Sequence, residues 1–274
     1  MARTDEVTSP PNEGLMSNFI TEETEGFVRK IGLNRPEKRN AMNIALIEQL
    51  SGALGRAEAD ENIRVCVLFA HGTVFTAGLD LMDVFPRLGD AQTLFSAAGI
   101  DPWATHGPAR TKPLIIAVHG KCLTLGIELM LAADITVASE DATFEQIEID
   151  RGIFPFGGGT ARWVRTMGWG NAMQYLLTGD ALDVREAHRL GLVQRVVSRE
   201  ALMETAMGLA ARIASKPPLA IKATIESART AVLEGERAAA AKLLPAIQQL
   251  ATTEDVQEAL SAHFERRPAT FRGR

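Results

Sequence analysis

Two carboxylates stand where the sequence is otherwise poor in polar groups. Glu128 is the only charged residue between Lys121 and Asp134, and Glu148 sits among Phe144, Ile147 and Ile149. A carboxyl group in apolar surroundings loses the hydration of its charged form. Its pKa rises, and it can exchange protons near neutrality. Two such groups, brought together by a turn, suit general acid and base work. The residues alone leave a second reading open, with Glu128 on a helix surface and Glu148 exposed on a strand.

The elements that must position this pair lie in residues 117–150, read as strand, tight turn, short apolar helix, strand and return segment. Lys112-Pro113 opens a buried strand over Leu114–Val118. Gly120 turns the chain into a helix over 124–132, and 134–138 forms the next strand. Beyond Glu148, the run from Gly152 to Thr160 carries Pro155 and the triplet Gly157-Gly158-Gly159. It predicts a loop that permits close backbone approach. A helix over about 160–167 would aim its first N–H groups at a ligand.

Upstream, residues 17–34 read as a hairpin, with Phe19 and Ile20 ending one arm, a turn at Glu25-Gly26 and a second arm over 27–33. Asn43 caps a helix over 44–59, where Ile44, Ile47, Leu50, Leu54 and Ala57 fall at helical spacing. Residues 64–70 are a buried strand. Small residues before Asp80 make 74–81 a loop that passes close to a ligand and enters a helix, or, at Gly78, simple turn punctuation. Residues 82–110 have the length of a lid or one wall of a pocket. Two successive strand, loop and helix passes, each with a glycine at the crossover, predict a layered α/β core. Downstream, helices are expected over 170–178, 183–190, 199–215, 217–233, 236–251 and 253–265, with a short strand at 192–197. The Ala-rich final third reads as a packing or oligomerisation layer. The expected organisation is a flexible lead-in at 1–17, an α/β core at 18–198 and a helical region at 199–274.

Composition excludes several classes. The chain has 274 residues, 46% hydrophobic and 23% charged, with net charge −5 and no long basic run. Nucleic acid and acidic membrane surfaces are therefore not expected as main partners. A local Lys and Arg cluster still suffices for a small anionic ligand. Cys66 and Cys122, both beside apolar residues, predict buried free thiols and a cytoplasmic setting. No apolar run reaches the roughly 18–20 residues of a membrane span. The first residues lack the apolar core of a secretory signal. There is no G-x-S-x-G elbow and no G-x-x-x-x-G-K-[ST] loop. No histidine falls in an H-E-x-x-H pattern, so no metal site is expected.

Taken together, the motifs resemble the crotonase (enoyl-CoA hydratase/isomerase) superfamily. They are Asn34-Arg35-Pro36 with Asn40-Ala41-Met42-Asn43, the run from Phe75 to Leu81, Ala117-Val118-His119-Gly120 leading to Gly126-Ile127-Glu128-Leu129, Ala132-Ala133-Asp134-Ile135, Glu148 with Gly152, Pro155 and 157–160, and Phe264 to Pro268. Their order and spacing cover nearly the whole chain after about residue 18. The resemblance implies an α/β, ClpP-like spiral of repeated β-β-α units whose helical C-terminal region trimerises, giving a trimer or a dimer of trimers.

The resemblance also implies a chemical device. An acyl-CoA thioester oxygen would sit between the backbone N–H groups of Leu79 and Leu125, which are fixed donors aimed at developing negative charge. Glu128 and Glu148 fall on the two acid/base positions of the family's hydratases, with Glu148 as the acid at C2. Isomerases of the superfamily typically rely on the Glu148 position alone. Coenzyme A would lie along Lys38, Arg39 and Ala41 and the loop of Ala77, Gly78, Leu79, Asp80 and Leu81, with Gly152 and Pro155 beyond. No metal or redox cofactor is expected; coenzyme A enters as part of the substrate. One departure stands out. Where hydratases carry a glycine-rich run before the first glutamate, this chain has Leu123-Thr124-Leu125-Gly126, which places two side chains beside the acyl pocket.

Overall fold

The β-branched runs read as buried strands line up in one sheet. The computed structural model describes residues 18–87, 89 and 99–274. The main sheet has the order β1-β2-β3-β4-β6-β9, built from β1 (Ile20–Glu25), β2 (Val28–Leu33), β3 (Val65–Ala70), β4 (Leu114–Val118), β6 (Ile135–Ser139) and β9 (Arg195–Val197). β1 and β2 are antiparallel, and every later pairing is parallel. A sheet of parallel strands must be covered on both faces, and this one is. Cys66, Leu68, Leu114, Ile116 and Val118 point into the larger core. Val65, Val67, Ile115, Ala117 and Val137 pack on the other face with Leu202, Ala206, Leu209 and Ala210.

The hairpin differs from expectation. Its first arm begins at Ile20 rather than ending there, because Ile20 pairs with Leu33 and the polar residues Thr21–Glu25 complete the ladder. Three short strands were not foreseen. β5 (Lys121–Leu123) follows the Gly120 turn before any helix starts, and β7 (Thr143–Glu145) forms part of the return segment. With β8 (Leu182–Asp183) they make a second sheet, β5-β7-β8. Bridges Thr76↔Cys122 and Met42↔Leu79 extend it toward the N-terminal loops. Each turn of the chain thus passes from a main-sheet strand, through this second layer, to a helix. That is the β-β-α spiral.

Among the described residues the α-helices are α1 (Ile44–Ala59), α2 (Leu81–Val84), α3 (Leu125–Ala132), α4 (Gly159–Met167), α5 (Trp169–Thr178), α6 (Val184–Arg189), α7 (Leu202–Ala214), α8 (Pro218–Glu234), α9 (Glu236–Ala251) and α10 (Glu254–Glu265). Asn43 caps α1 as expected, its side chain accepting from Leu46 N at 3.0 Å. α7 covers the second face of the main sheet. Apolar side chains stay exposed on α8 (Val232, Leu233), α9 (Leu243, Leu244, Ile247) and α10 (Leu260, Phe264). Cys66 and Cys122 are buried and unpaired. Among the described residues, no helix is long and apolar enough to cross a membrane. The lead-in and residues 88 and 90–98 of the 82–110 connection lie outside the described residues.

Candidate active site

Three segments of the spiral converge on one cleft. Ala77, Leu79 and Leu81 come from the loop after β3, Thr124 and Leu125 from the start of α3, and Ile147, Glu148, Arg151, Ile153 and Phe156 from the segment after β7. They line a cavity of about 100 Å³. The β-bridges explain the convergence. Met42 is held to Leu79, Thr76 to Cys122, and Leu123 to Glu145, so the loops stack in register.

Glu148 lies in a short 3-10 helix, Ile147–Arg151, and is 5% exposed. Its Oε1 accepts from Gln146 Nε2 at 2.9 Å, while Gln146 Oε1 accepts from Trp163 Nε1 at 3.1 Å. Gln146 and Trp163 are themselves buried. Burial pushes the Glu148 carboxyl up to about 7, against the Gln146 donor, which favours the ionised form.

Glu128 sits in the first turn of α3 and is fully buried. Its Oε1 accepts from Gly159 N at 2.7 Å, at the N-terminus of α4. The glycines here leave the carboxyl its space. A Cβ at Gly159 would stand 2.8 Å from Glu128 Oε1, and one at Gly157 would stand 3.2 Å from Glu128 Cδ. Desolvation dominates the carboxyl's pKa and, with the Glu148 charge, raises it to about 8, although the backbone N–H groups of Gly159 and Gly157 oppose the shift. Among the described residues, Glu128 Oε2 and Glu148 Oε2 have no hydrogen-bond partner. The reading of two solvent-facing glutamates is therefore overturned. The expected α4 N-terminus does aim an N–H at an acceptor, but the acceptor is the Glu128 side chain.

The remaining predicted residues fall into two groups. Ala77, Leu79, Leu81 and Leu125 line the cavity with Glu148. As the first residue of α3, Leu125 has no intrahelical acceptor for its N–H. The others lie outside its lining. Gly78 has φ +83, donates to Thr76 Oγ1 at 3.0 Å and leaves no room for a Cβ, which would meet Thr124 Oγ1. The Asp80 side chain accepts from Arg35 at 2.7 Å. Ala41 accepts from the same guanidinium at 2.9 Å. Lys38 and Arg39 are exposed on the loop before α1, and Arg39 O accepts from Ala77 N at 2.8 Å. Gly152 ends the Glu148 helix with φ +71, and buried Pro155 packs at Gly159.

Sequence reasoning missed three supports. Gln146 orients Glu148, and Trp163 orients Gln146. Trp103, from the 82–110 connection, donates to Leu125 O at 2.9 Å and packs against Gly157. A polar residue two positions before Glu148, in a segment otherwise apolar on its inner side, was the available signal for Gln146. Trp103 carried none, because its partners lie more than twenty residues away.

Residues 23–274 match the family model described as Enoyl-CoA hydratase/isomerase. The 2,3-dehydroadipyl-CoA hydratase of Escherichia coli (strain K12) is 37% identical over 242 residues, covering 88% of this chain and 94% of that protein. A probable enoyl-CoA hydratase of Rhizobium meliloti (strain 1021) is 37% identical over 256 residues, covering 92% and 97%. The crystal structure of a probable enoyl-CoA hydratase/isomerase from Mycobacterium abscessus superposes with a TM-score of 0.92 at 47% identity, covering 94% of this chain and 99% of that one. A spiral α/β core, a cleft between the start of α3 and the segment after β7, and these matches along nearly the whole chain lead to one conclusion: the protein is an enzyme of the crotonase superfamily and belongs to the enoyl-CoA hydratase/isomerase family.

Proposed function

We propose that the site hydrates a trans-2-enoyl-CoA thioester to a 3-hydroxyacyl-CoA. The observation that carries this reading is the pair of buried carboxyls, each with one oxygen bonded by the protein and the other left without a protein partner. Near neutral pH, groups pushed up to about 7 and about 8 share protons between them. One ionised carboxylate takes a proton from water as the water oxygen bonds to C3. The other, protonated, delivers its proton to C2. The family pattern gives that acid role to Glu148, whereas the order of the two pKa values, about 8 for Glu128 and about 7 for Glu148, favours the resting proton on Glu128, so delivery from Glu148 requires the proton to move between the pair first. The π electrons of the 2-enoyl system pass through a thioester enolate, and the N–H groups of Leu79 and Leu125 form the oxyanion site that stabilises it. No metal or redox cofactor enters these steps.

Exposed Lys38 and Arg39 supply charge for the phosphates of coenzyme A. Ala41 and the Ala77–Leu81 loop flank the pantetheine, and Gly152 and Pro155 shape the far side. The exposed apolar side chains on α8, α9 and α10 support a homo-oligomer, a trimer or a dimer of trimers. Buried free thiols suit a reducing cytoplasm.

One observation favours a second reading, double-bond isomerisation. Glu148 lines the cavity, whereas Glu128 is fully buried and is not among the lining residues. A single carboxylate at Glu148 can carry one proton between carbons. Comparing Glu128→Gln with Glu148→Gln separates the two. Hydration predicts a loss of roughly 10²–10⁴-fold in kcat for both; isomerisation predicts that loss for Glu148→Gln alone.

A further inference from the structure

The departure at Thr124 reaches the oxyanion site itself. Thr124 Oγ1 accepts the N–H of Leu79 at 3.3 Å. The amide assigned to the thioester oxygen is therefore already engaged by a side chain of the same chain. Thr124 lines the cavity with Leu79 and Leu125 and is 8% exposed. Its hydroxyl proton has no protein acceptor among the described residues, so the group can accept from the amide and donate into the cleft.

The backbone gives an independent reason to single this residue out. Thr124 has φ +49 and ψ −115. That region suits glycine, and a β-branched residue there is a genuine outlier. The surroundings hold it in place. Thr124 N donates to Glu145 O at 3.0 Å, and Thr124 O accepts from Ile127 N at 2.9 Å. Gly78 makes room for the hydroxyl, because a Cβ at Gly78 would collide with it. Strain of this kind persists where the surrounding structure over-determines it, and it concentrates at working sites.

We propose that the Thr124 hydroxyl, polarised by the Leu79 amide, is the direct donor to the thioester carbonyl oxygen on that side of the cleft, so that Leu79 acts through Thr124. The oxyanion site then consists of one backbone N–H, from Leu125, and one side-chain O–H. A hydrogen bond accepted from an amide strengthens the donor character of the hydroxyl that accepts it. The inference rests on the thioester reading of the site, but not on whether water is added.

The test is the infrared stretch of an isotope-labelled thioester carbonyl in a bound saturated acyl-CoA, which needs no turnover. The expected result is a downward shift on binding to the wild-type enzyme. Thr124→Val, which keeps the shape and removes the donor, should lose much of that shift and about 100-fold in kcat, with KM little changed. Thr124→Ser should restore most of the shift. Thr124→Ala, which uncovers the Leu79 amide for direct donation, should fall between Val and wild type, and it serves as the second hydroxyl-free variant if Val does not fold. A wild-type shift retained in full by both Val and Ala would overturn the role of Thr124 while leaving the thioester reading intact. Absence of any shift in the wild-type enzyme would overturn both.

Discussion

The amide of Gly159 holds Glu128 Oε1 at 2.7 Å, and the space a side chain would need at Gly159 is the space that oxygen fills. The glycine serves the carboxylate by position, since its φ is not one that demands glycine. Gly159→Ala should therefore fold, yet displace Glu128. A displacement approaching 1 Å predicts roughly a 100-fold fall in kcat. Steady-state kinetics with an unchanged circular dichroism spectrum would check it.

The Gln146 donor supports the ionised form of Glu148. Its removal in Gln146→Leu should raise the Glu148 pKa further and shift the matching limb of the kcat/KM profile to higher pH. It also strands the Trp163 N–H, at about 1–3 kcal/mol of stability. A pH profile compared with wild type, together with a thermal melt, reads both effects.

Both glutamates have folded-state pKa values above the ordinary value of 4.5, at about 8 for Glu128 and about 7 for Glu148. Between those limits the folded protein holds protons that the unfolded chain has released. Their contribution to stability is thus fully present below about pH 4.5 and lost as pH rises to about 8. Each pH unit across the window removes on the order of 1.4 kcal/mol per titrating carboxyl. Glu128→Gln cannot ionise, so it should be more stable than wild type at pH 9 and less different at pH 5. Urea unfolding at the two pH values measures this.

Leu125 is 2% exposed and contributes both an amide and a side chain to the cavity wall. Leu125→Ala keeps the amide and enlarges the space beside the acyl chain. It should cost about 2–5 kcal/mol of stability and move the kcat/KM preference toward longer or bulkier acyl groups. A panel of enoyl-CoA chain lengths would show the shift.

Much of this site was legible in the sequence because its signals are local. Glu128 stands alone in an apolar helix, and the glycines at 157–159 sit in one short run. The parallel strands were legible as continuous apolar stretches, because both faces are buried. What was not legible depends on pairing across the spiral. β5 and β7 are three residues each, too short to show alternation, and exist because Lys121–Leu123 pairs with Thr143–Glu145. Gln146 and Trp103 matter through partners distant in sequence. Thr124 was visible as a departure that adds bulk, but its bond to the Leu79 amide needed two loops 45 residues apart to be placed together.

Water addition across a 2-enoyl thioester is tested most directly by turnover of enoyl-CoA thioesters in heavy-oxygen water, followed by mass spectrometry of the thioester pool. The expected product is a 3-hydroxyacyl-CoA carrying one labelled oxygen, with label uptake lost in Glu128→Gln and in Glu148→Gln. A product with a shifted double bond and no label, its formation indifferent to Glu128→Gln, would contradict it.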